Sequence, residues 1–321
     1  MTLPEESDRL ARPVVKVGDL PDISFAPADN INVTLPSAPH DDHLITVVPA
    51  SQFTFEELTE AYNQTRVDYI VPMPMNAARL REYVHNYNVD MGASAVAVEG
   101  DHILGLAMLG ARPGHTWITR LGILPAKRRC GTGQLLTEYL IAQSRRLRPE
   151  YILLEVIKHN VPAYQLFQKL GFREIRELLV LRRPPGPLPG EVDPYVVQRL
   201  DHTQAIALLQ QRQSVPSWLD ETPSLENAGN LAALQVELKT GGRGWLVYQN
   251  TVFQLGRLVL QTEVGDPQQV AMALIHALHM YHPAQDTKTE NLPVTDPHWS
   301  ALQAMGYVES FRRIEMRLDL R

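Results

Sequence analysis

Cysteine is almost missing from this chain of 321 residues: Cys130 is the only one. No disulfide can close within the chain, and a zinc centre built on cysteines is excluded. Long apolar runs are lacking as well. The longest candidates, such as Leu178–Leu181, are strand-sized, far short of the roughly 20 residues of a membrane helix. The stretch Met1–Leu10 is acidic and polar, without the apolar centre of a secretory signal. Positive charge is not in excess either. The formal net charge is −6, so there is no general basic field for nucleic acid. No Gly-x-x-x-x-Gly-Lys-Ser/Thr loop occurs, which sets nucleotide hydrolysis of that type aside. The expectation is a cytoplasmic protein with no nucleic-acid and no membrane partner.

What is present is an ordinary globular composition, with 44% hydrophobic and 21% charged residues. The length suits about two domains. Pro21, Pro27, Pro36 and Pro39 make 1–43 an irregular arm. Pro184-Pro185-Gly186-Pro187-Leu188-Pro189-Gly190 reads as a linker over 184–192. The expected domains are therefore 44–183 and 193–321. Periodicity in the first predicts strands at Leu44–Val48, Thr116–Leu124 and Tyr151–Ile157, and one or two over Phe172–Arg183. It also predicts a hairpin of Ala93–Val98 with Ile103–Leu109 around Glu99-Gly100-Asp101. Helices are predicted over Phe55–Arg66, Ala77–Asn88, Gln134–Leu147 and Pro162–Leu170. The pattern then restarts. Strands fall at Tyr195–Leu200, Trp245–Tyr248, Phe253–Leu260 and Tyr307–Leu320, and helices at Thr203–Gln213, Pro267–Tyr281 and Pro297–Met305. The fold class is α/β, of the α+β kind with mixed sheets flanked by helices.

The halves read as a diverged repeat. Leu170-Gly171-Phe172-Arg173-Glu174 matches Met305-Gly306-Tyr307-Val308-Glu309, and at the same offset Glu155 falls on Glu290.

The richest stretch is Pro125-Ala126-Lys127-Arg128-Arg129-Cys130-Gly131-Thr132-Gly133-Gln134. It joins a strand to the start of a helix. Free N–H groups at a helix start, together with the helix dipole, favour an anion. Gly131 and Gly133 let a phosphate approach the backbone, and Lys127, Arg128 and Arg129 add charged donors.

These residues resemble the GNAT superfamily of acyl-CoA-dependent N-acetyltransferases. The family's phosphate loop, Gln/Arg-x-x-Gly-x-Gly/Ala, is matched by Arg128–Gly133, with Pro125 placed where the family often has proline. Asn160, Ala163, Phe167, Gly171 and Phe172 fit the downstream pattern, and Leu154-Glu155-Val156 looks like the ribosomal-protein alanine acetyltransferase branch. The resemblance covers about Leu44–Arg183 in full and the rest in outline. It implies two tandem GNAT-like domains, the second degenerate, and acetyl-CoA as co-substrate. The implied acceptor is an amine on a small molecule or a protein, and homo-oligomerisation is left open.

By the same resemblance, Leu121, Ile123 and Leu124 contact the acetyl and pantetheine portion, and a strand N–H polarises the acyl carbonyl. Arg128, Arg129, Cys130, Gly131, Thr132, Gly133 and Gln134 hold the pyrophosphate. Asn160 and Phe167 complete the cofactor contacts. Glu155 is the candidate general base, acting on the amine through water. The alternatives are an ion-paired strand carboxylate, or a base at His115 or His159. A second family position for the base carries Trp117 here. Phe167 replaces the tyrosine that many relatives use as acid. Tyr164, one turn earlier, is the candidate donor or else a packing residue. Cys130 is read as a spectator. Without a catalytic acid the chain could instead be an acyl-CoA-binding sensor or scaffold.

The second half has no such loop. Leu260-Gln261-Thr262-Glu263-Val264-Gly265-Asp266-Pro267 has one glycine, two acids and no basic residue, and Leu302 stands at the place of Phe167. His276, His279 and His282 are close in sequence, but no carboxylate motif accompanies them and no metal site is assigned. Trp218, Trp245 and Trp299 are expected to be core or interface anchors.

Overall fold

The computed structural model describes residues 45–71 and 73–320. The arm 1–43 and Leu44 lie outside them. The first half contains β1 (Ile45–Pro49), α1 (Phe55–Gln64), α2 (Ala77–Asn86), β2 (Val89–Glu99), β3 (His102–Arg112), β4 (His115–Ile123), α3 (Thr132–Arg146), β5 (Tyr151–Ile157), α4 (Val161–Lys169) and β6 (Arg173–Arg183). The second contains β7 (Tyr195–Leu200), α5 (His202–Leu209), α6 (Thr222–Ala228), β8 (Leu231–Leu238), β9 (Arg243–Asn250), β10 (Gln254–Val264), α7 (Pro267–Tyr281), β11 (Asp286–Pro293), α8 (Trp299–Ala304) and β12 (Val308–Asp319).

Local sequence accounts for many of the boundaries. A capping box starts α1: the Thr54 hydroxyl accepts from the Glu57 N–H at 3.2 Å, and the Glu57 carboxylate accepts from the Thr54 N–H at 2.8 Å. Period-two alternation along β2 turns Ala95 and Ala97 toward the core under α3, and Val96 toward the core under α1 and α2. The apolar stripe Leu135, Leu136, Tyr139 and Leu140 fixes the buried side of α3. In the second half, α7 covers one face of β8 and β9, where Leu234, Val236 and Leu246 lie. On the other face α5 packs with Ala233, Trp245 and Val247.

Both halves carry the expected mixed sheet flanked by helices, but the two sheets are fused into one. Twelve strands run in the order β1-β2-β3-β4-β5-β12-β6-β11-β10-β9-β8-β7. Each half gives its last strand to the other. β12 lies between β5 and β6, antiparallel to both, and β6 lies between β12 and β11. The centre of the molecule is thus a seam at which both halves meet. Three elements of the second half went unforeseen: α6, β8 and β11. Leu231-Ala232-Ala233-Leu234 in β8 favours helix by composition. β11, Asp-Thr-Lys-Thr-Glu-Asn-Leu-Pro, is polar, because it runs along the cavity described below.

Candidate active site

β4 and β5 pair in parallel only from His115–Tyr151 to Ile118–Leu154. Beyond that register they separate, and two cavities open at the gap. A bulge in β4 leaves Arg120 and Leu121 out of the ladder with β3, and Arg120 takes a left-handed φ of +55°.

The first cavity is a groove of about 720 Å³ running from the gap to the start of α3. Leu121, Gly122 and Ile123 form one wall, and Asn160, Pro162, Ala163 and Leu166 the other. The segment after α1 closes it through Thr65, Arg66, Asp68, Tyr69 and Ile70. Gly122 is required by this closure, since a Cβ there would lie 2.3 Å from Thr65 Oγ1. Asn160 caps α4, its Oδ1 accepting from the Ala163 N–H at 3.4 Å.

At the far end of the groove lies the basic loop. Pro125–Lys127 form a 3₁₀ turn, and Gly131 is the N-cap of α3 with a φ of +85°, a conformation that favours glycine. No side chain caps α3 among the described residues. The first-turn N–H groups are therefore open to an anion in the groove, which Gly131, Gly133 and Gln134 line. Two of the three loop cations are already matched by carboxylates. Lys127 pairs with Glu99 at 2.7 Å, and Arg128 pairs with Asp68 through both terminal nitrogens at 2.7 Å. The anion-binding power of the loop thus rests on its backbone and on Arg129. An uncapped helix start closing a mainly apolar groove fits a long thiol ester bearing a pyrophosphate.

Leu121, Ile123, Arg128, Arg129, Gly131, Gly133, Gln134 and Asn160 therefore share one groove. Other expected contacts lie outside its lining. Phe167 is buried in the core against Phe172, with ring centroids 6.0 Å apart. The Leu124 N–H donates to the Leu104 carbonyl, and Thr132 is buried at the start of α3. Cys130 points its exposed thiol at the Arg128 carbonyl. Tyr164 lines neither cavity: its hydroxyl donates to Glu174 at 3.2 Å and accepts from Gln168.

The second cavity, of about 520 Å³, opens on the other side of the gap and shares Arg66 and Tyr69 with the groove. It lies on the seam. Tyr83, Tyr87, Trp117 and Arg120 come from the first half, and Arg257, Lys288, Glu290 and Arg313 from the second. Glu155 lines it from β5. Its cross-strand neighbour on β12 is Glu315, and its Oε1 accepts from Asn291 Nδ2 at 2.9 Å. Asn291 Oδ1 in turn accepts from Arg313 at 2.7 Å, and Arg313 also pairs with Glu290 at 2.6 Å. Burial pushes the Glu155 carboxyl up to about 8, with Glu315 and Glu290 adding and Arg313 opposing. Burial would raise Glu290 as well, but Arg313 and Lys288 outweigh it and hold that carboxyl well below the usual range.

The other candidate bases stand away from both cavities. His115 hydrogen-bonds Glu221 at 2.7 Å and stacks on Tyr151, and neither it nor His159 lines a cavity. Trp117 stacks on Trp218 at 5.6 Å. Each histidine of the α7 group meets a tyrosine: His276 with Tyr195, His279 with Tyr307 and His282 with Tyr248. Among the described residues, no cluster of His, Cys, Asp or Glu could hold a metal ion, and no helix is long and apolar enough to cross a membrane.

Comparison with known proteins agrees with this architecture. Residues 54–172 match the family described as Acetyltransferase (GNAT) family. A GCN5-related N-acetyltransferase from Sphaerobacter thermophilus superposes with a TM-score of 0.66 at 15% identity, over 88% of this chain and 97% of the other. A tandem GNAT protein from the clavulanic acid biosynthesis pathway gives 0.60 at 13% identity, over 86% and 98%. A GCN5-related N-acetyltransferase from Anabaena variabilis gives 0.52 at 15% identity, over 86% and 73%. No curated protein sequence matches the chain. Residues 54–172 thus match the GNAT acetyltransferase family, within a chain that shares its overall fold with a tandem GNAT protein.

Proposed function

We propose that this chain transfers an acetyl group from acetyl-CoA to an amine, with one cofactor held per chain in the groove of the first half. The match of residues 54–172 to the GNAT family supports acyl-CoA-dependent acyl transfer in general. The observation that carries the finer reading is the junction of the two cavities. A groove that ends at an uncapped helix start and the half-buried carboxyl of Glu155 meet where β4 and β5 part, with Arg66 and Tyr69 common to both spaces.

In this reading the backbone of Arg129–Gln134 holds the pyrophosphate. Leu121–Ile123 and Asn160 align the pantetheine arm. The acceptor enters the seam cavity as an ammonium and gives one proton to Glu155, directly or through water. The neutral nitrogen then bonds the acyl carbon, the carbon–sulfur bond breaks, and the sulfur leaves with the electron pair. The nitrogen's second proton is relayed through the donor to the thiolate, which leaves a neutral amide and a free thiol. The placing of Tyr164 against Glu174 argues for a donor other than Tyr164, and Tyr69, lining both cavities, is our candidate.

The engagement of Tyr164 also favours a second reading, a non-catalytic acyl-CoA-binding module. Free-thiol release from acetyl-CoA over a panel of amines separates the two. Turnover that Glu155→Gln reduces supports the enzyme. Tight acetyl-CoA binding by calorimetry, with no thiol release from any amine, would favour the binding module. Unchanged affinity in Gly131→Trp would remove the loop from the site.

A further inference from the structure

The seam cavity is lined by cations that the protein's carboxylates leave unmatched: Arg66, Arg79, Arg120 and Arg257 have no ion-pair partner among the described residues, and Arg120 stands beside Tyr83 in the wall that also carries Glu155. Lys288 and Arg313 both pair with Glu290 at 2.6 Å. The Nη1 of Arg120 donates to the Tyr62 hydroxyl at 2.6 Å, its guanidinium stands 4.2 Å over the Tyr83 ring, and its buried Nε finds no acceptor. Removing a cation from water is costly unless an anion and a full set of hydrogen bonds replace the solvent. Arg120 is also held in a strained backbone: only a bulge gives a non-glycine residue a φ of +55° here, and that bulge carries the side chain into the cavity. A guanidinium with an open edge matches a carboxylate in its fork. The same cavity is lined by Glu155, the group assigned to the amine, and is walled by Tyr83, Tyr87, Trp117, Met73 and Met75. Its volume of about 520 Å³ is that of a small-molecule site.

We infer that the acceptor is a free amino acid, whose carboxylate docks on Arg120 while its amine faces Glu155. This rests on the acetyltransferase reading above and names its substrate class. Polyamines, aminoglycoside-type amines and lysine side chains of folded proteins offer no carboxylate for Arg120 and are excluded as preferred acceptors.

The test needs no variant in its first arm. Thiol release from acetyl-CoA is measured with the wild-type chain on the standard amino acids, each beside its carboxamide and its decarboxylated amine. The expected result is that the acceptors are amino acids, and that blocking the carboxylate lowers kcat/KM on the order of 100-fold. In the second arm, Arg120→Ala, checked for a cooperative melt, should shrink that difference to a few-fold, and Arg120→Lys should restore part of it. If amides or simple amines react as well as the acids in the wild-type chain, the inference is overturned while the acetyltransferase reading stands. If no amine releases thiol, both are overturned.

Discussion

Glu155 stands on β5 with an aromatic wall on one side and the exchanged strand on the other. Its carboxyl is raised from 4.5 to about 8, by burial first. The folded protein therefore keeps a proton that the unfolded chain surrenders. The stabilisation linked to this group is fully present below pH 4.5 and is lost as pH rises through about 8. Glu155→Gln should lack that decline. Melting temperatures of the two proteins across this range would show it, and parallel curves would contradict the assignment. For turnover the sign is opposite. A base must be deprotonated, so wild-type kcat should climb through about pH 8, and Glu155→Gln should lower kcat by about 10²–10⁴-fold and flatten the climb. Asn291→Leu keeps the bulk but removes the donor to Glu155 and the acceptor for Arg313. It should shift the kinetic pKa upward, which a pH profile reads directly.

At the level of elements, the bulge of β4 and the segment after α1 act as one unit. Gly122 and Thr65 touch so closely that Gly122→Val should displace the segment. We expect a loss of about 1–3 kcal/mol in stability and a weaker affinity for acetyl-CoA, measured by denaturant melts and calorimetry. An unchanged affinity would mean that the groove does not depend on this closure. The same comparison shows what sequence can and cannot reveal. The stripe on α3, the glycines of the basic loop and Asn160 at the start of α4 are local patterns, so they were readable. The resemblance counts Phe167 among the cofactor contacts, whereas the turn of α4 sends its ring into the core against Phe172. The closing segment was invisible. Arg128 and Asp68 are 60 positions apart, and no periodicity links a helix-to-helix connection to a phosphate loop. β11 escaped because its polarity answers to a cavity made by both halves, and only its Glu290, at the repeat offset from Glu155, signalled its place.

For the whole molecule, the exchange of last strands ties the halves together. A fragment of residues 45–183 would lose β12, leaving β5 and β6 without the strand both of them pair with. Expressed alone, each half should be aggregation-prone and inactive, and co-expression should recover soluble complex. A soluble first half with a cooperative melt and bound acetyl-CoA would argue against this. The second half, without a phosphate loop of its own, supplies Arg257, Lys288, Glu290 and Arg313 to the lining of the seam cavity and Asn291 as the donor to Glu155.

The central position of β12 has a consequence in time. During synthesis, the groove, the basic loop and Glu155 all emerge early, yet the strand that completes the sheet beside Glu155 emerges last. Until residues 308–319 leave the ribosome, the Glu155 carboxyl faces an open sheet edge, with no Arg313 behind it. A ribosome stalled anywhere before β12 should hold a protein that cannot yet acetylate its acceptor.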